Sequence, residues 1–286
     1  MPQEAPAPES RAAKTKEVDY VLGTSDRERQ RLIAQAKLLH DTTLDAFRWG
    51  GIRPGMRVLD IGCGVGDVAM LAADLVGPFG ELVAIDRDTD NLDFAKQRAS
   101  ADGYTNIDFR AAEIDAFHDE TPFDAIVGRY ILLFLPDRVG SLRSLMRSLR
   151  PGGSVVMVEP DFSLPFRSIP PAPLFDRVTE LARAVIAAGN INVDSGPALL
   201  RVFREAGLVG TRMDARQWVG GGPGYEIYWL VAELVRSMVP AMEKHGIARG
   251  AELDVDTLAA RLEAEAVALG SVLFFYRNVS AWAKKP

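Results

Sequence analysis

Short apolar runs alternate along this chain with stretches in which apolar residues return every three or four positions. Ser25, Asp26, Arg27 and Glu28 form a capping box, and Leu32, Ala36, Leu39, Thr43 and Phe47 then recur at helical spacing, which predicts a helix over 26–49. Gly50 and Gly51 end it, and Pro54-Gly55 turns the chain into a buried strand at 58–61. The next helix carries Val68, Leu71, Ala72 and Leu75 on one face and stops at Gly77. Strands at 82–85, 107–110, 123–127 and 154–159 keep the rhythm. Asp88 caps a helix reaching Gly103, and Leu142, Leu145 and Leu149 stripe the last crossover helix. Strands and helices at this interval predict a parallel, doubly wound α/β sheet with right-handed crossovers.

Beyond Glu159 the periodicity weakens. Pro160, Pro165, Pro170, Pro171 and Pro173 punctuate a loop, after which 174–188 and 197–206 read as helices and 208–218 as a strand. A glycine-rich stretch at 220–224 interrupts that strand. Helical segments at 226–245 and 255–269 follow, then a last strand at 272–282.

The candidate chemistry is concentrated at the first strand. VLDIGCGVGD at 58–67 enters a glycine turn from an apolar run, and the next strand ends on Asp86. In an α/β sheet that order holds a nucleoside at the carboxyl ends of adjacent strands, with the acid accepting from ribose hydroxyls. The dinucleotide fingerprint would require a glycine where Asp67 stands, and a carboxylate at a helix N-terminus repels a diphosphate.

Composition narrows the classes. The 286 residues carry a formal charge of -6, with 48% hydrophobic and 25% charged residues, as in ordinary globular proteins. The acidic balance argues against nucleic acid as a partner. Cys63 is the only cysteine, so no intramolecular disulfide forms, and in the glycine turn it reads as a small buried side chain. Residues 1–16 combine proline, alanine and charge without an apolar core, so the tail is expected to be disordered rather than a secretory signal. No segment is long and apolar enough to span a bilayer, and a cytoplasmic location is expected.

Five segments then fall in a recognisable order: VLDIGCGVGD, VAIDRD, AAEID, FDAIVGRYILLFLPD and LRPGGSVVMVEPD, together covering about residues 56–161. In this the chain resembles the class I S-adenosylmethionine (SAM)-dependent methyltransferases, and in its cap the small-molecule branch that includes quinone and secondary-metabolite enzymes. The resemblance implies a Rossmann-like, doubly wound sheet of seven mostly parallel strands with a reversed last strand, plus a helical cap. It divides the chain into a disordered tail (1–17), a helical lid (18–50), a SAM-binding core (51–218), a cap insertion (219–270) and a final strand that completes the sheet (271–286). SAM is the implied cofactor and S-adenosylhomocysteine its product; no metal is expected.

Carried over by position, Gly62, Cys63 and Gly64 would lie under the methionine part of SAM. Asp60 either organises the turn or reaches the amino group through water. Asp67 either caps the next helix or touches the cofactor. Asp86 would bind the ribose and Arg87 flank the adenine. Glu113 would take the adenine amino group, with Ile114 giving a backbone amide and an apolar wall. Arg129 would meet the amino-acid moiety or form a structural ion pair. Two departures stand out. Gly128-Arg-Tyr-Ile131 replaces the polar-Pro-Pro-aromatic run of amino-methylating nucleic-acid and protein-glutamine enzymes, and Ala112 stands where Gly or Asp is frequent.

Methyl transfer from a sulfonium needs a general base only for a protonated acceptor. His40, on the helix that covers the first strand's end, is the candidate; His118 reads as a solvated loop residue and His245 as a helix end. The acceptor pocket is expected from Tyr20, Tyr130, Asp161, Phe162, Trp218, Tyr225 and Trp229, a set rich in aromatics around a glycine loop. The expected partner is a small, partly apolar or aromatic acceptor, methylated at oxygen or nitrogen in preference to carbon. A homodimer is left open. The rival readings are a nicotinamide oxidoreductase and a SAM-binding protein that catalyses a non-methylating rearrangement.

Overall fold

The computed structural model describes residues 26–286. Tyr20, Ser25 of the capping box and the tail lie outside the described residues. Helix α1 (Asp26–Trp49) buries Leu39, Ala46 and Phe47 along the expected stripe. The alternating part follows as β1 (Arg57–Ile61), α2 (Asp67–Val76), β2 (Glu81–Asp86), α3 (Thr89–Ala101), β3 (Ile107–Ala111), β4 (Phe123–Arg129), α4 (Arg138–Leu145) and β5 (Leu149–Asp161). Then come β6 (Arg167–Ile169), α5 (Pro173–Ala188), α6 (Ser195–Ala206), β7 (Val209–Gly220), α7 (Ile227–Lys244), α8 (Gly250–Leu253), α9 (Leu258–Leu269) and β8 (Val272–Lys284). None of the described helices is long and apolar enough to cross a membrane.

The first five strands pair in parallel in the order β3-β2-β1-β4-β5. The last strand, β8, is reversed: it runs antiparallel to β5 and β6 on one side and to β7 on the other. An eighth strand, the three-residue β6, lies in the proline-rich segment read from sequence as a loop. It continues the line of β5 and pairs with the start of β8. This is a Rossmann-like, doubly wound sheet with a reversed last strand and a helical cap.

Both faces of the parallel part are covered, which is why its strands read as unbroken apolar runs. Leu59, Ile61, Val83, Ile126, Val155 and Met157 share one core with Leu142 of α4 and Phe203 of α6. Val58, Leu82, Val127, Val156 and Val158 share the other with Phe47 of α1 and Val68 of α2. The cap has its own core, in which α5 joins α7 and α9 around Phe175, Val231 and Leu262, and it meets the sheet through Phe275 and Tyr276 of β8.

Helix α6 comes close to the sheet because its first turn carries Gly196. A Cβ there would sit 2.7 Å from Val279 Cγ2 and 3.0 Å from the Glu159 carbonyl oxygen. Gly196→Ala is expected to lower the free energy of unfolding by about 1–3 kcal/mol through overpacking, measured by urea denaturation.

Candidate active site

The crevice above β1 and β2 is shaped by the glycine turn. Gly62, Gly64 and Gly66 all have positive φ. At Gly64 (φ 51) an added Cβ would meet nothing within 4 Å, so this stretch of main chain borders open space. Gly66 (φ 91) instead lies against α3, where its Cβ would be 3.1 Å from that of Ala95. The Gly64 amide donates to Asp86 Oδ2 at 2.8 Å, and the Asp88 amide donates to Asp86 Oδ1 at 2.9 Å. Burial raises the Asp86 carboxyl above the usual carboxylate range despite those two donors. Burial likewise pushes the Cys63 thiol up, so it stays protonated and packs as a small apolar side chain.

Asp60 is 1% exposed, and neither of its carboxylate oxygens has a hydrogen-bond partner among the described residues. Burial drives its carboxyl well above the usual range, opposed by the charge of Arg129 and reinforced by Asp86 and Asp67. Arg129 ends β4 on the same face as Asp60, since Asp60 pairs with Val127 two residues earlier. Its Nη1 donates to Thr43 Oγ1 of α1 at 3.1 Å, and burial lowers its pKa. An unpartnered carboxylate near a half-buried guanidinium matches the two ends of an α-amino acid.

The other expected cofactor residues are spread around this crevice. Asp67 does not cap α2: Gly66 is the N-cap residue, and Asp67 Oδ1 accepts from Arg98 Nη2 of α3 at 2.8 Å. Arg87 is exposed just after β2. Glu113 is exposed and precedes a short 3₁₀ turn, Ile114–Ala116, in which Ile114 is buried. That segment is tied to the crevice where the Ala112 amide donates to the Asp86 carbonyl at 2.9 Å.

Sequence reasoning gave Glu159 no role beyond ending a strand. In the structure it is fully buried. Its Oε1 accepts from the Ile131 and Leu132 amides at 3.0 and 2.9 Å, and its Oε2 accepts from the Leu133 amide at 3.1 Å and from Ser195 Oγ at 2.8 Å. This clamp follows Tyr130, which sits at φ 57, a region costly for a bulky side chain. The Tyr130 hydroxyl donates to Asn278 Oδ1 and lies 3.3 Å from the Tyr276 hydroxyl, to which Gln35 Nε2 of α1 donates at 2.9 Å. Burial raises the pKa of both tyrosines, so both hydroxyls keep their protons. The sequence signal for Glu159 was an acid closing an apolar strand; Gln35, Tyr276 and Asn278 carried none.

Of the expected acceptor residues, Tyr130, Phe162 and Trp218 converge on Tyr276, with ring centroids 6.3, 4.9 and 5.2 Å away. Asp161 instead binds Arg277. Tyr225 packs edge-on with Tyr228, and Trp229 is 42% exposed. His40 lies at the surface with its Nδ1 3.0 Å from Asp41 Oδ1.

Residues 52–207, more than half of the chain, match the methyltransferase domain family. The chain belongs to that family. A demethylmenaquinone methyltransferase of Staphylococcus aureus is 29% identical to this methyltransferase over 185 residues, covering 60% of this chain and 74% of that protein. The YcgJ protein of Bacillus subtilis has the same fold, with a TM-score of 0.57 and 16% identity, covering 86% of this chain and all of that one. So does phosphoethanolamine N-methyltransferase 2 of Haemonchus contortus, solved with phosphomonomethylethanolamine and S-adenosylhomocysteine, at a TM-score of 0.54 and 17% identity. That alignment covers 86% of this chain and only 52% of the nematode protein.

SAM is the cofactor of this methyltransferase, and the crevice fits it: an orphaned buried carboxylate, a glycine turn bordered by open space and a carboxylate one βαβ unit away.

Glu159 supplies a pH test of the clamp. Burial lifts its carboxyl to about 7, above the ordinary glutamate value near 4.5. The folded state therefore binds the proton more tightly than the unfolded chain does. The associated stability is full below about pH 4.5 and is lost as pH rises through about 7. Glu159→Gln is expected to be destabilised by its unpaired amides at every pH and to lack this component of pH dependence, as read from urea midpoints between pH 4.5 and 8.

Proposed function

We propose that this methyltransferase methylates a small, partly apolar or aromatic molecule held on the Tyr130 side of the crevice. The observation that carries the reading is the position of Tyr130, a strained residue fixed between the glycine-turn crevice and the aromatic wall of Phe162, Trp218 and Tyr276. Side chains held in costly conformations mark sites where position matters. In this reading Asp86 accepts from the ribose hydroxyls of SAM, Asp60 accepts from its amino group and Arg129 faces its carboxylate. Arg87, Glu113 and Ile114 border the adenine.

SAM supplies an electrophilic methyl group on a sulfonium, which leaves as a neutral thioether. The chain's part is then to orient the acceptor in line and exclude water, which the aromatic wall and α1 do together. His40 has no place in this arrangement, and the reading requires no protein base.

The sequence favours oxygen and nitrogen acceptors. The Staphylococcus aureus relative, named for demethylmenaquinone, supports a second reading in which the methyl goes to carbon of a quinol-type ring. Incubation with methyl-labelled SAM and a panel of naphthoquinols, hydroxyarenes, arylamines and aliphatic amines, followed by NMR of the product, separates these. Turnover confined to aliphatic amines would sink the aromatic reading.

Asp60→Asn tests the donor side. Loss of a hydrogen bond to a charged group, about 1.5–3 kcal/mol, is expected to weaken S-adenosylhomocysteine about tenfold or more in calorimetry. The ligand-free protein should become more stable, because a buried unpaired carboxyl is removed. That gain should grow with pH, since a carboxyl raised on folding costs stability as pH rises. An unchanged dissociation constant would remove Asp60 from the cofactor site.

A further inference from the structure

A cavity of about 290 Å³ lies between the segment leading into β6 and the ends of β7 and β8. It shares Tyr276 with the hydroxyl cluster, but its charged group is Arg277. Asp161, whose side chain is fully buried, holds that arginine in one orientation. Asp161 Oδ2 accepts from Arg277 Nε at 3.1 Å and from Nη2, while Oδ1 accepts from the Ser163 amide at 3.0 Å and from Ser163 Oγ at 2.5 Å. Both carboxylate oxygens are thereby occupied, and the guanidinium is fixed edge-on.

Arg277 Nη1 has no hydrogen bond among the described residues, and 39% of the side chain stays accessible. Phe166 and Phe275, 5.1 Å apart, form an aromatic wall beside it. Arg167 also lines the cavity, lying 5.0 Å from the Phe274 ring. With two arginines and one aspartate, the lining carries a net positive charge. Gln217 closes another side, its Nε2 donating to the Phe275 carbonyl at 2.6 Å.

A guanidinium with a free donor edge next to an aromatic wall recognises an anionic oxygen pair on a flat apolar body. We propose that this cavity binds an organic carboxylate with a planar, apolar body, that Arg277 contacts the carboxylate and that Asp161 is the residue that positions Arg277. The carboxylate belongs either to the methyl acceptor or to a separate ligand. The assignment stands on the cavity alone and is independent of the acceptor reading above.

The test uses calorimetric titration of the full chain with 1-naphthoate and with its neutral counterpart 1-naphthamide, with and without S-adenosylhomocysteine. The expected result is one site for naphthoate, at least tenfold tighter than for naphthamide. Arg277→Gln should erase that preference. Because this variant leaves Asp161 unpaired in the interior, Gln217→Glu provides a second route. It adds a negative charge to the cavity wall and should abolish the preference for naphthoate over naphthamide. Equal binding of the two probes, or naphthoate binding unaffected in Gln217→Glu, overturns the proposal. Product formation from SAM and 3-hydroxy-2-naphthoate would identify the carboxylate as the acceptor's own, whereas binding without product would identify a separate ligand; both retain the site. S-adenosylhomocysteine binding, read in the same titrations, reports on the donor crevice separately.

Discussion

Three consecutive main-chain amides, those of Ile131, Leu132 and Leu133, converge on the one buried carboxylate of Glu159, and the carboxyl end of β4 depends on that convergence. Each of those amides would otherwise be an unsatisfied donor at a cost of about 1–3 kcal/mol. The left-handed conformation of Tyr130 costs on the order of 1–2 kcal/mol more. The fourth donor, Ser195, belongs to α6, so one side chain joins β5, β4 and a covering helix. Arg129 and Tyr130 therefore inherit their positions from the register of the sheet rather than from a loop.

The two halves of the site have opposite characters. The glycine-turn side is electrostatically uneasy: burial raises the Asp60 and Asp86 carboxyls above their usual range, and Asp60 has no hydrogen-bond partner among the described residues. SAM carries an amino group, hydroxyls and a sulfonium, the donors and positive charge that raised carboxyls of this kind favour. The Tyr130 side is quiet, built from neutral hydroxyls, amides and aromatic rings.

What could be read from the sequence was what local rules determine. The bounds of α1, the glycine turn, Asp86 at the end of β2 and the rhythm of the parallel strands all follow from spacing within a dozen residues or so. The reversed strand and the count of seven came through the family resemblance, and the added β6 was hidden among prolines. Gln35 and Tyr276 meet across 241 positions, and no short-range pattern anticipates such a pair. His40 shows how narrow such a pattern is. A histidine on the correct helix still has to fall on its buried stripe, and this one lies beside it, between Leu39 and the buried Thr42 and Thr43. Asp67 was legible as a helix-start acid, but its partner Arg98 on the neighbouring helix was not.

The placement of β8 bears on how the molecule assembles. Ser154 pairs with Lys284 and Asp161 with Arg277, so the inner edge of β5 is closed by a strand far away in sequence. Until that strand docks, a long apolar edge stays open and β7 has nothing to pair with. Such distant contacts slow folding and leave intermediates exposed to self-association. The price of a late-closing sheet is thus kinetic, and it falls on the same strand that carries Tyr276 and Asn278 into the site.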